Sequence, residues 1–150
     1  MSLSCFVLSN RPLATIGAWQ AAIDAVGFKL VLDGDAHGRV EDQSGHLPAI
    51  WDGVEAGFEC LPCGADSAAD FVEDHEEAVP GGPWTQLLEF SYMGVANIAG
   101  VTIAGAVYAH ATGGIFWEGE EGLRVDADAA LAYARKTEAE IRDALARDMP

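Results

Sequence analysis

The sequence predicts an α+β fold: one domain over 1–150, with a single sheet and helices mostly on one face. The expected arrangement is a split βαβ, ferredoxin-like one with an irregular middle. Three observations point there. A chain of 150 residues, 50% of them hydrophobic, suits one domain with a substantial core. Folding at this size buries roughly 68–70% of the extended chain's surface. Strand-like runs alternate with helical spacing at both ends of the chain, and a Gly-, Pro- and Asp-rich stretch separates them. The two ends show no sequence repeat, so their likeness rests on element order.

Ser4–Ser9 reads as a short buried strand. Asn10 is a candidate N-cap and Pro12 suits a first helical turn. Leu13, Ile16, Trp19, Ala22, Ile23 and Val26 recur at helical spacing, which predicts a helix over 11–26. Gly27 ends it, because glycine accepts the left-handed backbone of a C-cap. Lys29–Leu32 reads as the second strand, and the turn-rich 33–38 lets Val40 open a returning hairpin strand. Residues 43–48 read as a loop, and 49–59 as extended chain broken by Gly53 and Gly57. A polar helix over 67–78, capped by Asp66 or Ser67, ends at Pro80-Gly81-Gly82-Pro83, the expected hinge. Residues 84–92 have strand composition, 95–111 form a helix of small residues, and Thr112-Gly113-Gly114 stops it. Ile115–Trp117 is a strand and 118–122 an acidic turn. A last helix follows, capped by Asp126 or Asp128 and running to about Arg147 with Ala130, Leu131, Ala134, Ile141 and Leu145 inward.

The chain carries 24 Asp+Glu against 8 Lys+Arg, a net charge of -16. Before Arg124 the only basic residues are Arg11, Lys29 and Arg39. Such a surface repels nucleic acid and anionic lipid and attracts cationic partners. No basic patch offsets that field, so nucleic-acid binding is excluded. The N-terminus lacks a basic n-region, and Cys5–Leu8 is too short for a signal's apolar core. Val95–Ala109 falls short of the roughly 20 residues of a membrane span. Three cysteines, an odd number, argue against a disulfide framework. The expectation is a cytoplasmic protein with no membrane association.

Three segments occur together: Gly57-Phe58-Glu59-Cys60, Ala109-His110-Ala111-Thr112-Gly113-Gly114, and Phe116-Trp117-Glu118 leading to Glu121-Gly122. With them the chain resembles a group of small bacterial proteins without an assigned activity. The resemblance implies a small-residue helix ending in Thr-Gly-Gly, an apolar strand, and an acidic turn before the final helix. It implies no catalytic residue or cofactor.

Cys60-Leu61-Pro62-Cys63 has the spacing of a redox pair or half a zinc site. Glu59, Asp66 and Asp70 around it disfavour a thiolate, and no second Cys/His pair completes a metal site. Incidental thiols are the reading adopted. Asp33-Gly34-Asp35-Ala36-His37-Gly38 echoes a calcium loop, but position twelve is Ser44 where a bidentate Glu is needed. A turn between strands explains the same residues. No metal or other cofactor is therefore expected. No Walker A, G-x-G-x-x-G or G-x-S-x-G motif is present.

Two acidic patches remain as candidate binding surfaces: Glu73, Asp74, Glu76 and Glu77, and Glu118, Glu120 and Glu121. Together with the charge they predict a non-enzymatic protein that docks a basic protein, as an immunity protein neutralises a basic nuclease toxin. The alternative is a small enzyme or ligand-binding domain, metal-dependent in one version. Its pocket would be lined by Trp51, Trp84, Tyr92 and Trp117, with Cys60, His110 or Glu118 as polar contacts. A monomer or a homodimer is compatible with either.

Overall fold

The computed structural model describes residues 3–75 and 84–148. The fold is mixed α+β, with a six-stranded antiparallel sheet, a three-stranded sheet and four helices. The single sheet expected from sequence is thus corrected to two. The large sheet runs β3 (Gly45–Leu47), β6 (Phe58–Cys63), β7 (Gln86–Tyr92), β1 (Leu3–Ser9), β8 (Ile115–Glu118), β9 (Leu123–Asp126). The small sheet runs β2 (Leu30–Leu32), β4 (Ala49–Trp51), β5 (Val54–Glu55). The β4–β5 turn is Asp52-Gly53, with φ of 49° and 81°. That is the left-handed pair a two-residue hairpin needs.

β1 is the central strand. It pairs antiparallel with β7 on one side and with β8 on the other. Its odd positions, Cys5 and Val7, join the main core, and Leu8 joins a smaller one on the opposite face. This period of two splits one strand between two layers.

Helix α3 (Val95–Thr112) fills the main core, buried on nearly every side from Ala99 to Ala109. A helix apolar all round belongs in an interior. It is long and apolar enough to cross a membrane, and 67% of that stretch is buried inside the protein. Two glycines let its neighbours close in. A Cβ on Gly100 would collide with the Ala56 carbonyl, and one on Gly105 would lie 2.6 Å from the Phe116 ring. Helices α1 (Ile16–Ala25) and α4 (Ala130–Asp148) flank α3 on the same face, and α2 (Ala65–Asp74) covers the other. Trp19 of α1 donates Nε1–H to the Ala104 carbonyl at 2.9 Å. The Tyr108 hydroxyl donates to Gln86 Oε1 at 2.7 Å and accepts Leu13 N–H at 3.1 Å. Both polar atoms are paired, so burying these large rings leaves no orphan.

Several sequence expectations move. The α1 cap is Thr15, whose side chain accepts Ala18 N–H at 3.0 Å. Asn10 instead accepts Thr85 N–H at 2.8 Å and ties β1 to the approach of β7. Residues 36–38 fold back on α1, where Gly17 and Ile16 donate to Ala36 and Gly38 carbonyls at 2.9 Å. Val40 therefore begins a single 3-10 turn, Val40–Asp42, rather than a strand. The expected loop at 43–48 contains β3, and the chain after the acidic turn forms β9 before α4 begins at Ala130. α2 starts at Ala65 with Gly64 as its N-cap position, earlier than Asp66 or Ser67. The Pro80–Pro83 hinge lies outside the described residues.

Candidate functional site

The turn after β8 is built by its own glutamate. Glu118 Oε1 accepts Glu120 N–H at 2.6 Å and Oε2 accepts Glu121 N–H at 2.9 Å. Gly119 N–H bonds the Ser4 carbonyl at 3.1 Å, which clamps the turn to the start of β1. Glu120 and Glu121 are exposed on this anchored loop.

Opposite the turn runs α4. Tyr133, Lys136, Thr137 and Glu140 stand at helical spacing on one face of it. Between turn and helix lies a cleft of about 510 Å³. Its apolar wall comes from Leu3, Ile98, Leu123 and Ile141. Its polar groups are Glu118, Glu120, Glu121, Glu140, Thr102, Thr137, Lys136, Tyr92 and Tyr133.

The electrostatics follow from this placement. Burial pushes the Tyr133 phenol up to about 12, and the Glu118 carboxylate adds to it. Burial also raises Tyr92, with further contributions from Cys5, Glu118, Glu120 and Tyr133. The Cys5 thiol rises through complete burial and then through Glu118. The carboxylates among these neighbours disfavour another negative charge, so the phenols stay neutral and the acidic side of the cleft favours a cation.

A second, smaller cleft of about 300 Å³ lies on the other side of Tyr92, lined by His46, Glu55, Glu59, Met93 and Asn97 among others. His46 Nδ1 sits 3.7 Å from Glu59 Oε1 there.

The residues expected to line one aromatic pocket are dispersed. Trp51 is 1% exposed in the small sheet, donates Nε1–H to Glu138 at 2.9 Å and lies under the Arg142 guanidinium. Trp117 belongs to the α2 face, where Phe71 and His75 rings pack on it at 5.7 and 4.9 Å. Trp84 joins the same face, its Nε1 without a partner among the described residues. Tyr92 and Cys60 are buried on the α3 face. His110 is exposed at the end of α3, its Nδ1 3.2 Å from the Ala127 carbonyl. Strand alternation and the sheet's two faces separate most of these side chains, and of the seven candidates Tyr92 and Glu118 reach the acidic cleft.

Cys60 and Cys63 lie three apart on strand β6, so they point to opposite faces. Burial pushes the Cys60 thiol up to about 12. Neither feature suits a redox pair. Among the described residues no three His, Cys, Asp or Glu side chains are grouped closely enough to hold a metal ion. Asp35 instead caps its own turn by accepting His37 N–H at 3.0 Å.

The two acidic patches fare differently. Glu73 and Asp74 are exposed at the end of α2, and Glu76 and Glu77 lie outside the described residues. Glu118, Glu120 and Glu121 converge on the cleft. Sequence reasoning missed Tyr133, Lys136, Thr137 and Glu140. The signal available was their i, i+3, i+4, i+7 spacing.

No family model, curated protein or solved structure matches the chain.

Proposed function

We propose that this protein is a non-enzymatic binding protein that docks a basic protein partner at its acidic cleft. It works in the cytoplasm in the manner of an immunity protein. The observation that carries the reading is the anchored turn that holds Glu118, Glu120 and Glu121 across from Glu140. A net charge of -16 steers a cationic protein toward the surface, and the cleft supplies a place for it to register. We also read the fold around it as a split βαβ. Strands β7 and β8 flank β1, both antiparallel to it, and α3 links them, which supports that reading.

The test is fluorescence anisotropy with a labelled peptide of alternating lysine and glycine, titrated at low and high salt. Affinity falls as salt rises. Three cleft substitutions, Glu120→Gln, Glu121→Gln and Glu140→Gln, together weaken binding about tenfold, at roughly 0.5 kcal/mol for each exposed charge. Three neutralisations on α2, Asp70→Asn, Glu73→Gln and Asp74→Asn, remove the same charge and leave affinity within about threefold. Equal losses in the two variants would mean that net charge alone binds the peptide, and the cleft reading would fall.

A further inference from the structure

One side chain of α1 closes the outer edge of the small sheet. Gln20 Nε2 donates to the Leu30 carbonyl at 2.8 Å, and its Oε1 accepts Leu32 N–H at 2.7 Å. Nε2 also donates to Asp24 Oδ1 at 3.0 Å, which fixes the amide in that orientation. The inner edge of β2 is taken by β4. Val31 lies opposite Ile50, Asp33 N–H bonds the Pro48 carbonyl at 2.8 Å, and Asp52 N–H bonds the Lys29 carbonyl at 2.9 Å. The backbone groups of Lys29, Val31 and Asp33 thus face β4, and those of Leu30 and Leu32 face outward. A carbonyl and an N–H two residues apart are what a further strand would pair with, and the Gln20 amide holds both.

The side chains along this edge are ordered as well. Leu30 and Leu32 are buried in the core, so Lys29, Val31 and Asp33 share the outer face, where all three are exposed. A cation, an apolar side chain 55% exposed and an anion follow one another. That order is complementary to itself. Two copies of β2 set antiparallel about Val31 place each Lys29 opposite Asp33 of the other copy, and Val31 opposite Val31. Each Leu30 carbonyl then meets Leu32 N–H of the other copy, so both groups that lose Gln20 are satisfied again. Before Arg124 the chain has only three basic residues, and one of them stands here.

We infer that Gln20 guards a self-pairing edge. The occupant that β2 fits is β2 of a second copy, and the Gln20 amide keeps the chain monomeric by filling that place first. The inference is independent of the docking reading, because the acidic cleft is built by α4 and the 118–121 turn. An unrelated extended peptide fits less well, because this edge asks for an anion, an apolar residue and a cation at alternate positions.

The test is sedimentation velocity of the full chain over a range of concentrations, in salt that screens its net charge of -16, with amide hydrogen exchange at Leu32 read alongside. The parent stays monomeric and protects Leu32. Gln20→Ala suits the helix and opens the edge, so Leu32 exchanges at least about tenfold faster in dilute solution. The variant dimerises as concentration rises, and dimerisation restores the protection. Gln20→Met keeps the length of the side chain without its amide and behaves the same way. Adding Val31→Lys to Gln20→Ala sets like charges face to face and weakens the dimer at least about tenfold. Adding Lys29→Asp weakens it about tenfold, and adding Asp33→Lys to that restores it by swapping the two ion pairs. Gln20→Ala and Gln20→Met variants that stay monomeric at every concentration would overturn the inference. So would a parent that dimerises as readily as they do, Leu32 exchange unchanged in both variants, or a dimer that Val31→Lys leaves intact.

Discussion

The two faces of the large sheet are built to different standards. The α3 face joins α1, α3, α4 and the small sheet into one core, with Trp19, Phe58, Phe90 and Tyr108 in mutual edge and tilted contact at 5.3 to 6.5 Å. Its deep polar atoms are paired. The α2 face is a satellite of a few side chains around Phe71 and Trp117, and among the described residues it leaves Trp84 Nε1 without a partner. The same strands serve both faces, so the difference comes from what covers them. One face is covered by a helix apolar on all sides, the other by a short helix with acidic residues on its outer surface. Stability therefore resides mainly on the α3 face, and the acidic cleft opens where that well-packed layer ends.

Truncating one ring on each face breaks or sharpens this contrast most strongly. Phe90→Ala removes a fully buried ring and costs about 5 kcal/mol, the upper end for such a change. Phe71→Ala, at 8% exposure beneath α2, costs about 3 kcal/mol because that site relaxes more readily. Urea denaturation of both variants reads the difference, and equal losses would erase the asymmetry. Gly100→Ala comes next. The added methyl meets the Ala56 backbone, which cannot swing aside like a side-chain end, so about 3 kcal/mol is lost.

The last effect is alkaline. Folding raises the thiol of Cys60 from 9.0 and the phenol of Tyr133 from 10.0, each to about 12. The neutral forms are favoured in the folded state. Their stabilisation is complete below pH 9 and declines as pH rises from about 9 toward 12, where the unfolded chain releases protons that the folded one retains. The urea midpoint falls over that range. Iodoacetamide at pH 8 labels Cys63, which is only half-buried, and reaches Cys5 and Cys60 only after unfolding. Prompt labelling of Cys60 in the folded protein would show that the α3 face opens more easily than its packing implies.

Much of this architecture is legible in the sequence. α1 and α4 carry apolar residues at helical spacing, and β1, α3 and β8 are runs rich in apolar residues, so these segments declare themselves. β3 and β9 do not. Gly45-His46-Leu47 and Leu123-Arg124-Val125-Asp126 are short and half polar, and they become strands because β6 and β8 offer them an edge. The Asn10 cap failed for a related reason. Both Asn10 and Thr15 suit a cap, and the loop at 36–38 decides between them by bonding the first turn from Ile16 onward.

The cleft divides the same way. Glu118, Glu120 and Glu121 stood out as a cluster of like charges, and Tyr133, Thr137 and Glu140 lay on one helical face. Nothing in the linear order set that face against the acidic turn. Tyr92 read as the end of a strand, and only the sheet register placed it opposite Leu3 and beside Glu118.

The amino-acid order alone determined the anionic exterior, the apolar central helix and most of the strand and helix positions, because charge and periodicity are local properties. The pairing of strands across 77 or more residues decided the rest: which face each aromatic joins, and which carboxylates meet a buried tyrosine. Those are consequences of long-range packing, and an alternating strand sends neighbouring residues to opposite sides of the protein.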